Sequence, residues 1–382
     1  MKRVLIVATV APTIGQFNMN NLRILNELGY KFDVACDYKD VNVWSEQKSE
    51  DFKKQIKEFG GRVIQVDFSR NIWKLAEHVR ALQQIKCILE NENYLFVHTH
   101  TPIASSIVRY AAHRSETKVI YTAHGFHFYK GAPLKNWLLY YPVEKILSYW
   151  TDVLVTINRE DYVRASKYFR AKKTVYIPGI GINVNKFKED HHGKTIRSEL
   201  GISNDTFMLF SVGELNKNKN HMVVIKALKE LPQNIVYVIA GNGGLKDQLT
   251  NLAEREGVSA RVRLVGYRSD INDFYHAADA FILPSLREGL NVSLMEAMAS
   301  SLPCLAGNIR GNTDLIDDGK GGYLFSPLSK EEVRNTIKCV FNDDHRDRLG
   351  DYNFHKVKKF DIERVERALF SLYGSKMFKW QE

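Results

Sequence analysis

The stretch SLREGLNVSLMEA sets Glu288 and Glu296 eight positions apart, with Gly289 directly after the first. Glu288 falls in a polar turn. Glu296 falls roughly one and a half turns into an apolar helical pattern carried by Leu290, Val292, Leu294 and Met295. A carboxylate accepts hydrogen bonds from two neighbouring hydroxyls, and a glycine lets backbone approach a ligand closely. The start of a helix, here at Asn291, offers unpaired N–H groups to an anion. Together these describe a ligand with a sugar, a phosphate and a second sugar, which is a nucleotide-sugar. The plainer alternative is a solvated loop glutamate beside an ordinary helical one.

Other chemistry-bearing residues also follow strand-like runs. VGELNKNKNH places Gly213, Lys217 and Lys219 after one such run, AGNGG places Asn242 and Gly243 after the next, and GYRSD places Tyr267 and Arg268 after a third. IRGNTDLI adds Gly311 and Asn312. In the first half, HTHTP and TAHGFHFYKGAP supply His98, His100, His124 and His127. Imidazole is a common metal ligand, but no cysteine joins them, and hydrogen-bonded histidines with no metal are the expectation. The loop APTIGQFN, with Phe17 and Asn18, contains only Gly15. A nicotinamide-binding G-x-G-x-x-G is therefore excluded at the first strand. KGAPLKNWLLYYPVEKILSYW mixes Trp137 and other aromatics with Lys130, Lys135 and Lys145. Such a helix either lies in a membrane interface or turns an apolar face to the core.

The elements that must position these residues alternate along all 382 positions. RVLIVATV, FDVACDY, RVIQVDF, YLFVHTH, KVIYTAHG and DVLVTIN read as strands, as do TFMLFSVGEL, NIVYVIAGNG, RVRLVGY, AFILPS and PCLAGNI, with helical segments between. The alternation predicts two Rossmann-like, doubly wound parallel-sheet lobes of α/β class, facing a central cleft lined by the loops after their strands. The seam falls at VYIPGIGINVNKF, giving lobes 1–182 and 183–360. A tail helix from Asp361 to Lys379 is expected to cross back to the first lobe. The opening MKRVLIVATVAP superficially mimics a signal peptide but reads as the first strand, and no uncharged apolar run approaches a membrane span. The four cysteines read as reduced core thiols. Nearly all of the formal charge of +10 falls before Asn183, which implies an anionic partner without choosing its kind. No base-reading motif accompanies it, so nucleic acid is not expected.

Glu288 and Glu296 carry an E-x7-E signature, and on it the chain strongly resembles the family-4 retaining glycosyltransferases of GT-B fold. The resemblance extends over nearly the whole chain, and the HGFHFYKG wording is similar to the capsular and exopolysaccharide branch in particular. It implies that Glu288 binds the donor hexose and Glu296 the nucleotide ribose. The backbone of Gly289, Leu290 and Asn291 would meet the sugar and diphosphate, Lys217 and Lys219 the diphosphate, and the backbone near Tyr267 and Arg268 the base. Asn242 and Gly243 would line the nucleotide pocket, with Gly311 and Asn312 close to the donor sugar. Gly15 would face the donor phosphate, His124 the reaction centre, and Phe17 and Asn18 the acceptor. Glu214 stands where many members carry an arginine, which rests the positive charge at the leaving group on fewer residues. The implied reaction is metal-independent, retaining transfer of a hexose or N-acetylhexosamine from a UDP-sugar to a polyprenyl-diphosphate-linked saccharide, with no cofactor. The resemblance places it at the inner face of a bacterial cell membrane, where Lys130, Lys135 and Trp137 would meet anionic lipid. The rival readings are a GT-B nucleotide-sugar 2-epimerase and a non-catalytic nucleotide-sugar-binding scaffold.

Overall fold

Strands buried on both faces need nearly continuous apolar runs, and the sequence supplies them. RVLIVATV becomes β1 (Arg3–Val10), buried along almost its whole length. The computed structural model describes residues 2–40, 44–115, 117–189 and 193–375. They form two units, one of Met1–Ile180 with Glu363–Glu382, the other of Gly181–Ile362.

The first unit adds β2 (Lys31–Asp37), β3 (Arg62–Gln65), β4 (Tyr94–Thr99), β5 (Lys118–Ala123), β6 (Val153–Thr156) and β7 (Lys173–Tyr176). All pair in parallel, in the order β3-β2-β1-β4-β5-β6-β7. In the second unit β8 (Phe207–Val212), β9 (Ile235–Ala240), β10 (Val262–Gly266), β11 (Ala280–Leu283), β12 (Cys304–Gly307) and β13 (Gly322–Phe325) run β10-β9-β8-β11-β12-β13, again parallel. Each order reverses direction once, between β1 and β4 and between β8 and β11. In open parallel sheets that reversal opens a ligand crevice at the strand C-termini.

Three expectations change. β7 and β13 were not anticipated: each is a four-residue edge strand, half-buried, without the apolar run that marks the central strands. The expected loop APTIGQFN is a helix, Ala11–Phe17, which continues β1 directly with Pro12 in its first turn. Gly15 lies within it, where a Cβ would come 2.2 Å from the Trp44 ring, so packing by itself already requires a glycine there. Of the cysteines, Cys36 and Cys304 are core thiols, whereas Cys87 and Cys339 are exposed.

The tail helix, Ile362–Tyr373, belongs to the first unit. Val365, Leu369, Leu372 and Tyr373 enter the core around β1 and β4, and Tyr373 stacks on Phe96 at 5.6 Å. The helix stops short of the expected end at Lys379, and residues 376–382 lie outside the described ones. Among the described residues no helix is long and apolar enough to cross a membrane.

Candidate active-site residues

At the second unit's switch point, the loops leaving β8 and β11 are joined by charge. Gly213 follows β8, and a Cβ there would come 2.9 Å from Lys219 Cε, so the bare glycine gives the lysine stem its path. Lys219 Nζ then reaches Glu288 Oε1 at 2.7 Å, the two side chains 16% and 13% exposed. The two residues singled out by charge, 69 positions apart, are thus brought together.

Asparagines and an arginine that the sequence reading passed over hold the loops. Asn218 donates to Arg287 O at 3.0 Å, and its own carbonyl accepts from Leu286 N at 2.8 Å. Asn220 adopts φ 54°, a left-handed conformation that asparagine tolerates, and donates to Pro284 O and Pro327 O. The Arg310 guanidinium, almost fully buried, donates to the Glu288 carbonyl at 3.3 and 3.4 Å. The signal for the asparagines was the alternation NKNKN at a strand end, where side chains must serve backbone groups that the sheet no longer pairs.

Gly311 has φ 83°, and a Cβ on it would come 2.1 Å from Gly289 O. The loops after β11 and β12 therefore touch backbone to backbone there. Asn312 is buried just beyond, donating to Gly307 O. On the other side of β8, Leu215 N donates to Asn242 O at 2.9 Å, and Gly243 packs against the Leu215 backbone.

Asn291 caps the helix Val292–Ala299, its Oδ1 accepting from Leu294 N at 2.9 Å. Leu290 packs against the core of the unit. Glu296 accepts from the Tyr275 hydroxyl at 2.9 Å. Burial raises its pKa, opposed by that hydroxyl and by Lys186. Arg268 is committed elsewhere: its guanidinium pairs with Asp270 (2.6 Å) and Glu199 (2.9 Å), which raise its pKa, and lies over Phe274. Tyr267, Lys217 and Glu214 are exposed, the last accepting from Asn216 at 2.9 Å.

In the first unit, three of the four histidines converge at the ends of β4 and β5. His98 is bonded through both ring nitrogens, to the Tyr373 hydroxyl at 2.7 Å and to Thr122 at 2.8 Å. The His100 ring packs tilted against it with centroids 4.1 Å apart, and its Nδ1 meets His124 Nε2 at 3.4 Å. His100 Nε2 is buried with no hydrogen-bond partner among the described residues. Burial lowers His98 to about 3, His124 to about 4, and His100 well below the ordinary value, so all three are neutral near pH 7. Among the described residues no three His, Cys, Asp or Glu side chains are grouped to hold a metal ion. His127 stands apart, its ring against Tyr140 at 4.6 Å. Asn18 is buried, donating to Thr13 O and accepting from Asn21, so its amide is occupied within its own turn; Phe17 is exposed.

Trp137 is a correction. On helix Leu134–Leu147 it faces inward, packing with Phe128 and Tyr141 beneath the Arg164 guanidinium at 4.8 Å. The exposed side carries Lys135, Lys145, Leu134 (72%), Leu138 (71%), Leu139, Val143 and Ile146, with Lys130 exposed in the preceding loop.

Residues 193–356 match the family described as glycosyl transferases group 1, and residues 33–158 the one described as glycosyl transferase 4-like. EpsD of Bacillus subtilis (strain 168), described as a glycosyltransferase, is 33% identical over 98% of this chain and 97% of its own. An Escherichia coli protein named UDP-Gal:alpha-D-GlcNAc-diphosphoundecaprenol alpha-1,3-galactosyltransferase is 30% identical over 72% of this chain and 73% of its own. The structure of Anabaena HepE in complex with UDP and glucose matches with a TM-score of 0.76 at 17% identity, covering 96% of this chain and 98% of that one.

Proposed function

Because the chain belongs to the group 1, family-4-like glycosyltransferases of GT-B fold, we propose that its donor is a UDP-sugar and its acceptor a polyprenyl-diphosphate-linked saccharide. In this reading a hexose or N-acetylhexosamine is transferred with retention and without a metal, in the synthesis of an exopolysaccharide or capsule. The observation that carries it is the Lys219–Glu288 pair at the second switch point. One carboxylate and one ammonium stand together where a ligand crevice is expected. The carboxylate accepts from sugar hydroxyls, and the ammonium, with three donors and one spent on Glu288, has two left for phosphate oxygens. A cation already held in place stabilises charge on a departing diphosphate without reorganising. Lys217 adds a second cation on the same loop. His124, neutral near pH 7, takes the role of a hydrogen-bond partner to the sugar rather than a charge. The named activity of the E. coli relative supports a lipid-linked acceptor, and the UDP complex of HepE supports a uridine donor. Work on such an acceptor places the protein at the cytoplasmic face of a membrane, with the exposed side of helix 134–147 toward anionic lipid.

Thermal unfolding with UDP, GDP, ADP and UDP-sugars, with and without EDTA, tests the donor. UDP and its sugars are expected to stabilise by about 2.7 kcal/mol at 100 times Kd, and EDTA to change nothing. Stabilisation by GDP or ADP alone would change the donor. Conversion of the donor sugar with no acceptor present would make the protein an epimerase.

A further inference from the structure

The first sheet has its own switch point, between β1 and β4, and a cavity of about 410 Å3 lies over it. That size falls within the roughly 300–1,000 Å3 of ordinary small-molecule sites. Thr9 and Thr101, at the ends of the two strands, fix its floor. Their hydroxyls lie 2.7 Å apart, and Thr9 N donates to Thr101 Oγ1 at 2.8 Å. Val10, Ile72 and Ile103 give apolar wall, while Thr13, Gln16, Arg70 and His127 give polar wall. Among the described residues no carboxylate lines it. Its strongest donor is the Arg70 guanidinium, whose planar fork suits phosphate oxygens better than sugar hydroxyls.

Two lining residues give the cavity a direction. Phe17 also lines a smaller cavity of about 30 Å3 that contains His100 and His124. Tyr140 brings helix 134–147 to the cavity, and Val143, one turn on, is the near edge of that helix's exposed apolar side. A cavity bearing one arginine thus lies between an apolar surface and the neutral histidines.

We propose that this cavity holds the diphosphate of the lipid-linked acceptor, with Arg70 as its cation. The lipid chain leaves past Tyr140 along helix 134–147, and the saccharide extends past Phe17 toward His124. The assignment rests on the glycosyltransferase reading above and adds to it the feature of the acceptor that the first unit recognises.

The test compares wild type with Arg70→Gln in the full chain, using the same saccharide on an isoprenyl diphosphate and on a neutral alkyl chain. Arg70 is exposed, so the variant is expected to melt with the wild type. Its rise in acceptor KM is expected to be at least tenfold larger with the diphosphate acceptor than with the neutral one. Inorganic pyrophosphate should compete with the diphosphate acceptor in wild type and far less in the variant. Equal penalties on both acceptors, or no penalty on either, would overturn the assignment. So would a matching loss of binding to phosphatidylglycerol vesicles without acceptor, which would make Arg70 a reader of lipid headgroups. A wild-type chain that uses neither acceptor would overturn the parent reading, and this one with it.

Discussion

Lys219 and Glu288 hold each other at 2.7 Å in a half-buried place, so neither can be removed without stranding the other. Glu288→Ala would leave a partly buried ammonium without its partner, and its cost would mix stability with catalysis. Glu288→Gln keeps the shape and a hydrogen-bond acceptor while losing the charge. It is expected to lower kcat/KM about 100-fold or more, the usual scale for one electrostatic contact in a transition state, with Tm nearly unchanged. Turnover near wild type by that folded variant would remove Glu288 from the reaction. The histidines make a second, independent prediction. His98, at about 3, and His100, held by burial well below the ordinary histidine value, stay neutral in the folded chain, whereas unfolded histidine protonates near 6.5. As pH falls from about 6.5 the unfolded state binds protons that the folded state refuses, so stability is full above that pH and declines toward pH 4. The expected slope is about 1.4 kcal/mol per pH unit for each buried histidine. Denaturant unfolding at pH 7, 6 and 5 measures it, and His98→Gln should flatten it; an unchanged slope in that variant would refute the account. The charged pair was legible because Lys219 and Glu288 follow apolar strand runs, where a charge is conspicuous. Asn218 and Asn220 left only the NKNKN alternation as a trace and Arg310 none, because their partners are backbone carbonyls that only the folded loops bring near.

Helix 134–147 is apolar nearly all round, a composition that suits burial, yet about half its circumference faces outward. Its inner side is fixed by a buried ion pair, Arg109 to Glu144 at 2.8 Å, with Tyr121 also donating to Glu144. Glu144 is the helix's one carboxylate, so its exposed charges are all lysines, Lys135 and Lys145. An apolar face rimmed by long cations suits an anionic bilayer, where the stems lie on the acyl boundary and the ammonium groups reach the headgroups. Leu138→Ser with Ile146→Ser is expected to weaken partitioning to phosphatidylglycerol vesicles by tenfold or more in sedimentation, with little change in Tm, since both side chains are already exposed. Unaltered partitioning would leave the face without this role. A helix apolar on both sides offers the sequence reader no direction, which is why Trp137 was read as facing lipid although it packs inward. The edge strands β7 and β13 escaped for a related reason: four half-buried residues do not produce the apolar run that marks a central strand. Helix 11–17 was hidden by Gly15, which reads as a loop residue until Trp44 is found against it.

Across the whole molecule, two doubly wound sheets were legible because parallel strands covered on both faces leave unmistakable apolar runs. Their strand orders were not, since sequence rhythm shows that crossovers occur and not which way each one runs. Those orders decide the chemistry: β8 beside β11 joins Lys219 to Glu288, and β1 beside β4 makes the floor of the Arg70 cavity. The first unit is also discontinuous in the chain, and that has a consequence for how the protein is made. Tyr373, which bonds His98, lies 275 positions after it. The second unit, Gly181–Ile362, is one unbroken stretch. On a ribosome adding about 5–20 residues per second, roughly ten to forty seconds separate Ile180 from Tyr373. Through that interval the nascent first unit carries an open seam where Val365, Leu369, Leu372 and Tyr373 will later sit. The unit begun first is therefore the one finished last, and the histidine row is among the last parts of the newborn enzyme to be sealed from water.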